Sequence, residues 1–107
     1  MEDFFHDNVK ELALDNDYFR DVLYTTSQMQ LVVMSIGPHE QIGLEAHANT
    51  TQFIYIVKGQ GLAIVNGRHR QLFDGIGLVI PANTTHNIIN TSNRELKLFT
   101  LYSPPEH

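Results

Sequence analysis

Short apolar segments separated by turn residues recur along this sequence of 107 residues. Most are rich in β-branched side chains and end at glycine, proline or asparagine, which is typical of strands. The pattern predicts strands over residues 18–24, 28–36, 42–47, 52–58, 62–65, 69–73, 77–80, 85–90 and 95–102, and a weaker alternation predicts an edge strand over 10–14. No segment has a convincing helical period, so we predict an all-β sandwich or barrel.

The composition fits a single folded domain. Hydrophobic residues make up 42% of the chain and charged residues 18%, which leaves enough apolar side chain for one core. We therefore predict one domain over residues 1–107. Residues 1–9 would form a loose arm or a short helical turn, and residues 103–107 would form a tail, because Pro104 and Pro105 end the last strand.

Charge and cysteine content narrow the choice of partners. The formal net charge of -5 argues against nucleic acid and anionic membranes, since both need a basic face. The acidic N-terminus lacks the apolar core of a signal peptide, and no apolar run approaches the ~20 residues of a membrane helix. The absence of cysteine excludes disulfides and thiolate metal ligands. We expect a cytoplasmic protein whose partner is a small molecule.

The predicted strand 52–58 is apolar on both faces. One face would line the interior of a barrel, while the opposite face carries Phe53, Tyr55 and Val57. An apolar outer face needs a second layer, so we expect it to meet either the N-terminal strands or a second subunit. A homodimer is therefore one expectation.

Four residues with metal-binding side chains occupy positions that the predicted strands would bring together. Glu45 and His47 are two residues apart, so they share one face of a strand. Gln52 opens the next strand after a polar turn, and a hairpin would return it to their side. His86 lies near the start of strand 85–90. It completes a set of four donors if its side chain is on the strand face that points toward the other three.

Each of these residues also has a purely structural interpretation. A single histidine on a strand is usually structural, although His47 and His86 are not alone. Glu45 would be a surface carboxylate on an outward face, but it shares the parity of His47. Gln52 would be a buried amide that hydrogen-bonds the turn, which is nearly as well supported as ligation because neutral amides are weak metal ligands.

The two segments that carry these residues resemble the two motifs of the cupin family. In the second motif, Gly75, Pro81, His86 and Asn90 stand at the family spacing, and Asn83 replaces the usual glycine. Asparagine is the best substitute where φ must be positive.

The first motif of the family has His-x-His, then three or four residues, a glutamate, six residues and a glycine. Here Glu45 and His47 take the histidine positions, Gln52 takes the glutamate position and Gly59 is the closing glycine. Two ligand positions therefore depart from the pattern, although both replacements can ligate through oxygen. The chain from about residue 10 to 105 resembles a small single-domain cupin, of a subgroup with Glu-x-His and Gln in the first motif.

The resemblance implies a double-stranded β-helix, or jelly roll, that is often dimeric and holds a metal in its barrel. The implied ligands are Glu45, His47, Gln52 and His86, a set that suits manganese, iron, zinc, nickel or cobalt. It does not imply one reaction, because cupins include isomerases, epimerases, dioxygenases, decarboxylases, storage proteins and sugar-binding transcription factors.

Three functions are consistent with this sequence. The first is a metalloenzyme that acts on a small sugar-like or oxo substrate, by isomerase- or oxygenase-type chemistry. The second is a small-ligand-binding barrel, with or without metal, that catalyses nothing, and the third is a barrel retained for its fold alone. No catalytic residue can be assigned. A phosphorylated sugar would need a basic residue beside the pocket, for which Arg20 is the candidate.

Overall fold

The computed structural model describes residues 3–105, so the ends of the predicted arm (1–9) and tail (103–107) lie outside the described residues. The described chain contains one helix, α1 (Val9–Asp15), and the strands β1 (Asp21–Thr25), β2 (Gln30–Ile36), β3 (Thr51–Lys58), β4 (Gly61–Val65), β5 (Arg68–Leu72), β6 (Gly77–Ile80), β7 (His86–Asn90) and β8 (Leu96–Ser103). Strands from β3 onward begin and end within one residue of the sequence prediction.

The strands form two antiparallel sheets that face each other. The larger sheet has the order β1-β2-β8-β3-β6, and the smaller has the order β5-β4-β7. Their inner faces share one core, in which the fully buried side chains include Val32, Ile36, Ile54, Ile56, Ile88, Leu96 and Leu98. Each such side chain contributes about 1.5–3 kcal/mol on burial. The predicted all-β double-stranded β-helix is confirmed.

The predicted edge strand over 10–14 is wrong, because these residues belong to α1. The helix begins where the Asn8 side chain accepts a hydrogen bond from the Glu11 backbone N–H, at 3.0 Å. It ends where the Lys97 ammonium donates to the Asn16 carbonyl, and the helix dipole favours a cation at this end. An N-cap asparagine with glutamate three residues later is a helix-start signal, and the strand interpretation overlooked it.

Helix α1 covers the outer face of the larger sheet. Ala13 is fully buried and packs with Val33 and Val57 in a second apolar cluster, and Tyr55 and Phe99 lie against that cluster. The second layer predicted for the outer face of β3 therefore comes from the N-terminal part of the chain, but as a helix and not as strands.

The predicted strand over 42–47 is also wrong. Residues 41–47, which we call the bridging segment, form only two isolated bridges, from Gln41 to Ile89 and from Glu45 to His86. Gly43 interrupts the segment with a φ of +107°, and its N–H donates to the Asn87 side chain at 2.9 Å. The segment nevertheless runs beside β7, because Glu45 and His86 exchange two backbone hydrogen bonds of 2.9 and 2.8 Å.

Among residues 3–105, no helix is long and apolar enough to cross a membrane.

Candidate metal centre

Three of the four predicted ligands meet at one end of the barrel, and Gln52 pairs across the sheet with Tyr102, whose ring contacts His47. Gln52 lies at the start of β3 and His86 opens β7, while Glu45 and His47 belong to the bridging segment. Donor atoms of Glu45, His47 and His86 all lie within 4.8 Å of one another. The two imidazole centroids are 5.3 Å apart, and His47 Nε2 is 3.7 Å from a Glu45 carboxylate oxygen.

His86 is oriented by the loop that precedes β7. Its Nδ1 lies 2.9 Å from the Thr84 carbonyl oxygen, which can only accept a hydrogen bond. Nδ1 therefore carries the proton, and the lone pair resides on Nε2. Nε2 is buried and has no hydrogen-bond partner among the described residues. The imidazole is thus held in the tautomer that a metal ligand requires.

Gln52 presents a second buried acceptor. The side chain is only 2% exposed, and its Nε2 donates to Thr100 Oγ1 at 2.9 Å. Its Oε1 is buried, and no group in the part of the chain that the structure describes donates a hydrogen bond to it. A buried polar atom left in this way costs about 1–3 kcal/mol, which a bound cation would offset. The amide contacts a residue of β8 and not the turn that precedes it, so the structural interpretation of Gln52 had the wrong partner.

His47 joins the two motif segments. Its ring is 8% exposed and meets the Tyr102 ring edge-on, with centroids 5.7 Å apart. Its backbone carbonyl accepts a hydrogen bond from the Asn83 N–H at 2.6 Å. Asn83 has a φ of +63°, as the sequence predicted for an asparagine at the usual glycine position. This backbone contact holds the loop before His86 against the bridging segment.

Glu45 is half-buried and faces the two imidazoles. Its side chain is 38% exposed, so one part of the carboxylate reaches solvent while the other approaches His47. The interpretation of Glu45 as a carboxylate on an outward face is therefore not what the geometry shows. Its position at the rim gives the cluster its only negative charge among these four side chains.

The three grouped donors fit a divalent transition metal. Nitrogen and oxygen ligands at about 2.1 Å from one ion stand about 3 to 4 Å apart, close to the present separation of the three grouped donors. Imidazole, carboxylate and amide oxygen together suit manganese, iron, zinc, nickel and cobalt better than calcium or magnesium, which prefer oxygen alone. His86 Nε2, one of the two buried acceptors, belongs to this group.

Asn90, the last residue of the second motif, is a hydrogen-bonding residue. It is fully buried, and its Nδ2 donates to the backbone carbonyls of Ile36, Gly37 and Arg94 at 2.7–3.0 Å. Its Oδ1 accepts from the Ser92 backbone and side chain. Asn90 therefore holds the far end of the barrel together and takes no part in the metal centre.

Arg20 does lie at the end of the barrel that holds the four donors. Its guanidinium donates to Gln30 Oε1 at 3.0 Å and lies 5.9 Å from the centroid of the Tyr102 ring. Sequence reasoning missed two other arginines, Arg68 and Arg70, which line a cavity beside the loop that precedes His86. The alternation of β5 was the signal, since both share a face with buried Leu72.

Comparison with known proteins agrees with this geometry. The model of the cupin domain family matches residues 32–102. Two relatives are YrkC of Bacillus subtilis (strain 168), 39% identical over 106 residues, and L612 of Acanthamoeba polyphaga mimivirus, 45% identical over 105 residues. Each alignment covers 94% of this chain but 57% and 65% of the respective relative. The chain thus spans less than two thirds of the length of these relatives.

Solved structures show the same fold. BH2720 from Bacillus halodurans matches with a TM-score of 0.93 at 38% identity, over 96% of this chain and 83% of that one. KdgF from Halomonas sp. matches with a TM-score of 0.77 at 22% identity, over 81% and 78% of the two chains. A predicted oxalate decarboxylase from Thermotoga maritima matches with 0.67 at 16%, over 83% and 95%. The last two likenesses concern the fold alone. From the motifs, the barrel and the family match together, this chain belongs to the cupin family.

Proposed function

We propose that this chain binds one divalent transition metal ion, such as manganese, iron, zinc or nickel, through Glu45, His47, Gln52 and His86, and acts on a small sugar-like or oxo substrate. The observation that carries the proposal is the cluster of donor atoms on Glu45, His47 and His86. Two buried acceptors, Gln52 Oε1 and His86 Nε2, also lack a hydrogen-bond partner among residues 3–105. Native proteins rarely leave such atoms unsatisfied without a reason.

The surrounding residues are arranged to hold these donors in place. The Thr84 carbonyl fixes the tautomer and orientation of His86, and the Thr100 hydroxyl orients the Gln52 amide. Such outer contacts typically change metal affinity by 10- to 100-fold when they are removed. When bound, the ion would supply Lewis acidity to a substrate carbonyl or hydroxyl, or a binding position for dioxygen.

A ligand of the metal would have to approach from one end of the barrel. The next inward residues along β3 and β7 are Ile54 and Ile88, and both are fully buried. They close the interior beneath the donors, so a substrate would approach from the end at which β3 and β7 begin. Four protein donors leave up to two positions of a six-coordinate ion for substrate oxygens.

Elemental analysis of protein purified without added metal tests the site. We expect near-stoichiometric transition metal in the wild type and none in His47→Ala/His86→Ala. A His39→Ala/His69→Ala variant removes two exposed histidines and should keep the metal. Wild-type protein that neither contains metal nor takes it up on titration would overturn the four-ligand assignment.

A separate assay tests for catalysis. Metal-loaded protein would be incubated with a panel of aldoses, ketoses, sugar acids and 2-oxo acids, and the panel followed by proton NMR. We expect time-dependent conversion of at least one compound that His86→Ala abolishes. Absence of any conversion would contradict the enzymatic part of the proposal.

A second candidate is a barrel that binds a small ligand without turnover. The observation in its favour is the neutral amide of Gln52 at the glutamate position, because an amide oxygen is a weaker metal ligand than a carboxylate. A saturable thermal shift with a compound of the panel, together with no conversion, would support this alternative.

We also propose that the chain forms a homodimer. Exposed apolar side chains lie on β1, an edge strand of the larger sheet, and in the residues just before it, among them Val22 at 41% and Tyr18 at 72% exposure. Such residues are common at subunit interfaces. Sedimentation velocity at micromolar concentration should give the mass of two chains, and a single monomeric species would contradict the proposal.

A further inference from the structure

We propose that Arg68 and Arg70 form an anion-binding subsite beside the candidate metal centre, and that the natural ligand therefore carries a carboxylate or phosphate group. The inference rests on the proposed function in one respect, since it places the other end of the ligand at the metal. The binding of the anionic group itself depends only on the residues of the smaller sheet.

The strand register gives both arginines the parity of the inner face of the smaller sheet, and both side chains are exposed at its edge. Leu72, two residues beyond Arg70, is 2% exposed in the main core, and paired residues of neighbouring strands point to the same side. Arg70 pairs with Ala63, which is fully buried in that core, and Arg68 pairs with Val65.

Arg68 and His86 lie in one row across the sheet. Val65 of β4 pairs with Arg68 on one side and with His86 on the other. Two strand spacings separate the backbones of Arg68 and His86, which is about 10 Å. The Asn66 N–H, at the tip of the β4–β5 hairpin, donates to the Thr85 carbonyl at 2.7 Å. The hairpin is therefore attached to the loop that orients His86.

A cavity of about 380 Å³ lies between this hairpin and the edge of the larger sheet. Arg68 and Arg70 line one side, Leu78 and Pro81 line another, and Thr84 lies next to the metal centre. The volume suits a small organic molecule. Since the Thr84 carbonyl contacts His86, a ligand in this cavity would adjoin the donor cluster.

The charge of the cavity favours an anion. Its lining contains two guanidinium groups and no carboxylate, and neither arginine forms an ion pair with residues 3–105. The other two cavities described in that range both contain acidic residues. A local excess of two positive charges contrasts with the formal net charge of -5 for the whole chain. A guanidinium fork matches the two oxygens of a carboxylate or phosphate.

Arg20 is a weaker candidate for the same role. Its guanidinium is already engaged with Gln30 and lies near the Tyr102 ring. Within the described residues, the Arg70 guanidinium donates one hydrogen bond, to the neighbouring His69 carbonyl at 2.8 Å, and retains its other donors. No hydrogen bond of the Arg68 side chain is formed within residues 3–105. The two arginines of β5 are therefore available for a ligand.

The rival explanation is protection of a sheet edge. β5 is the edge strand of the smaller sheet, and charged side chains on such strands prevent pairing with other molecules. This explanation predicts that removal of the arginines increases aggregation and leaves anion binding unchanged. Anion affinity therefore distinguishes the two explanations.

The experiment is calorimetric titration of phosphate, and separately of succinate, into the wild type and two double variants. Arg68→Gln/Arg70→Gln removes the proposed subsite. Lys58→Gln/Arg94→Gln removes two positive charges that line a cavity with no residue of the metal centre. We expect at least one anion to bind the wild type and the second variant equally, and the first variant at least tenfold more weakly.

The two anions distinguish a phosphate ligand from a carboxylate ligand. If both double variants lost anion affinity equally, the loss would come from net charge alone, and the proposal would be overturned. Absence of anion binding to the wild type would overturn it as well. Elemental analysis of the same samples tests the metal site independently of the anion subsite. Arg68→Gln/Arg70→Gln should keep its metal, and His86→Ala should lose metal but keep the anion affinity.

Discussion

Gln52 is the residue at which the metal assignment can be tested most sharply. Gln52→Glu restores the carboxylate that the family usually has. We expect the affinity for Mn²⁺ to rise at least tenfold, because a charged oxygen replaces a neutral one. In chelator the same variant should be about 1–3 kcal/mol less stable, because the carboxylate is buried without a cation. Titration calorimetry and urea unfolding measure the two effects.

The matched control for this change is Gln71→Glu, at an exposed position of β5. It should alter neither the metal affinity nor the stability by more than about 0.5 kcal/mol. If Gln52→Glu binds Mn²⁺ no better than the wild type, Gln52 does not belong to the ligand set.

Asn90 illustrates a residue whose role is structural. Asn90→Leu would leave three carbonyl groups and the Ser92 N–H without their partner, so we expect a loss of about 2–4 kcal/mol in the free energy of unfolding. Urea denaturation in the presence of chelator measures it. Asn93→Ala, which removes one exposed contact with His39, should cost less than about 1 kcal/mol. Equal losses in both variants would contradict the assigned role.

Single residues were predictable from sequence where a motif fixed their neighbours. The left-handed backbone of Asn83 and the convergence of His47 with His86 follow from the two motifs. The roles of Arg68 and Arg70 did not follow, because the inward face of a short strand depends on what its partner strand buries. Here only Leu72 marks that face, at the very end of the strand.

At the scale of elements, helix α1 acts as the outer layer of the larger sheet. Ala13→Leu would force three extra carbons against Val33 and Val57, since Ala13 is already fully buried there. We expect a loss of about 1–3 kcal/mol. Hydrogen exchange should show that α1 loses protection while β3 and β8 keep theirs, because the main core lies on the other face.

Lys10→Leu provides the control, since it introduces the same side chain at an exposed position of the same helix. It should leave the protection of α1 unchanged. If Ala13→Leu has no effect on α1, the helix does not pack on the sheet as tightly as the structure indicates.

The sequence prediction was wrong in short segments, where too few residues are present to establish the spacing of the apolar side chains. Helix α1 has seven residues, over which a helical and an alternating pattern overlap. The bridging segment alternates like a strand, but Gly43 breaks it and the Asn87 side chain takes the place of a strand partner. Longer strands such as β3 and β8 were predicted almost to the residue, because both of their faces are apolar.

At the scale of the whole molecule, the candidate metal centre draws its residues from both sheets and from the bridging segment. Gln52 belongs to the larger sheet, His86 to the smaller sheet, and Glu45 and His47 to the bridging segment. An ion bound by all three would oppose their separation, so metal binding and folding should be coupled.

We therefore expect the metal to stabilise the entire domain. At 100 times the dissociation constant, Mn²⁺ should raise the free energy of unfolding by about 2.7 kcal/mol relative to chelator, because the unfolded chain lacks the site. His47→Ala/His86→Ala should show no such increment, while His39→Ala/His69→Ala, which lacks two exposed histidines, should show all of it. Urea unfolding with and without Mn²⁺ measures the difference. An equal increment in both double variants would mean that the ion binds elsewhere on the protein.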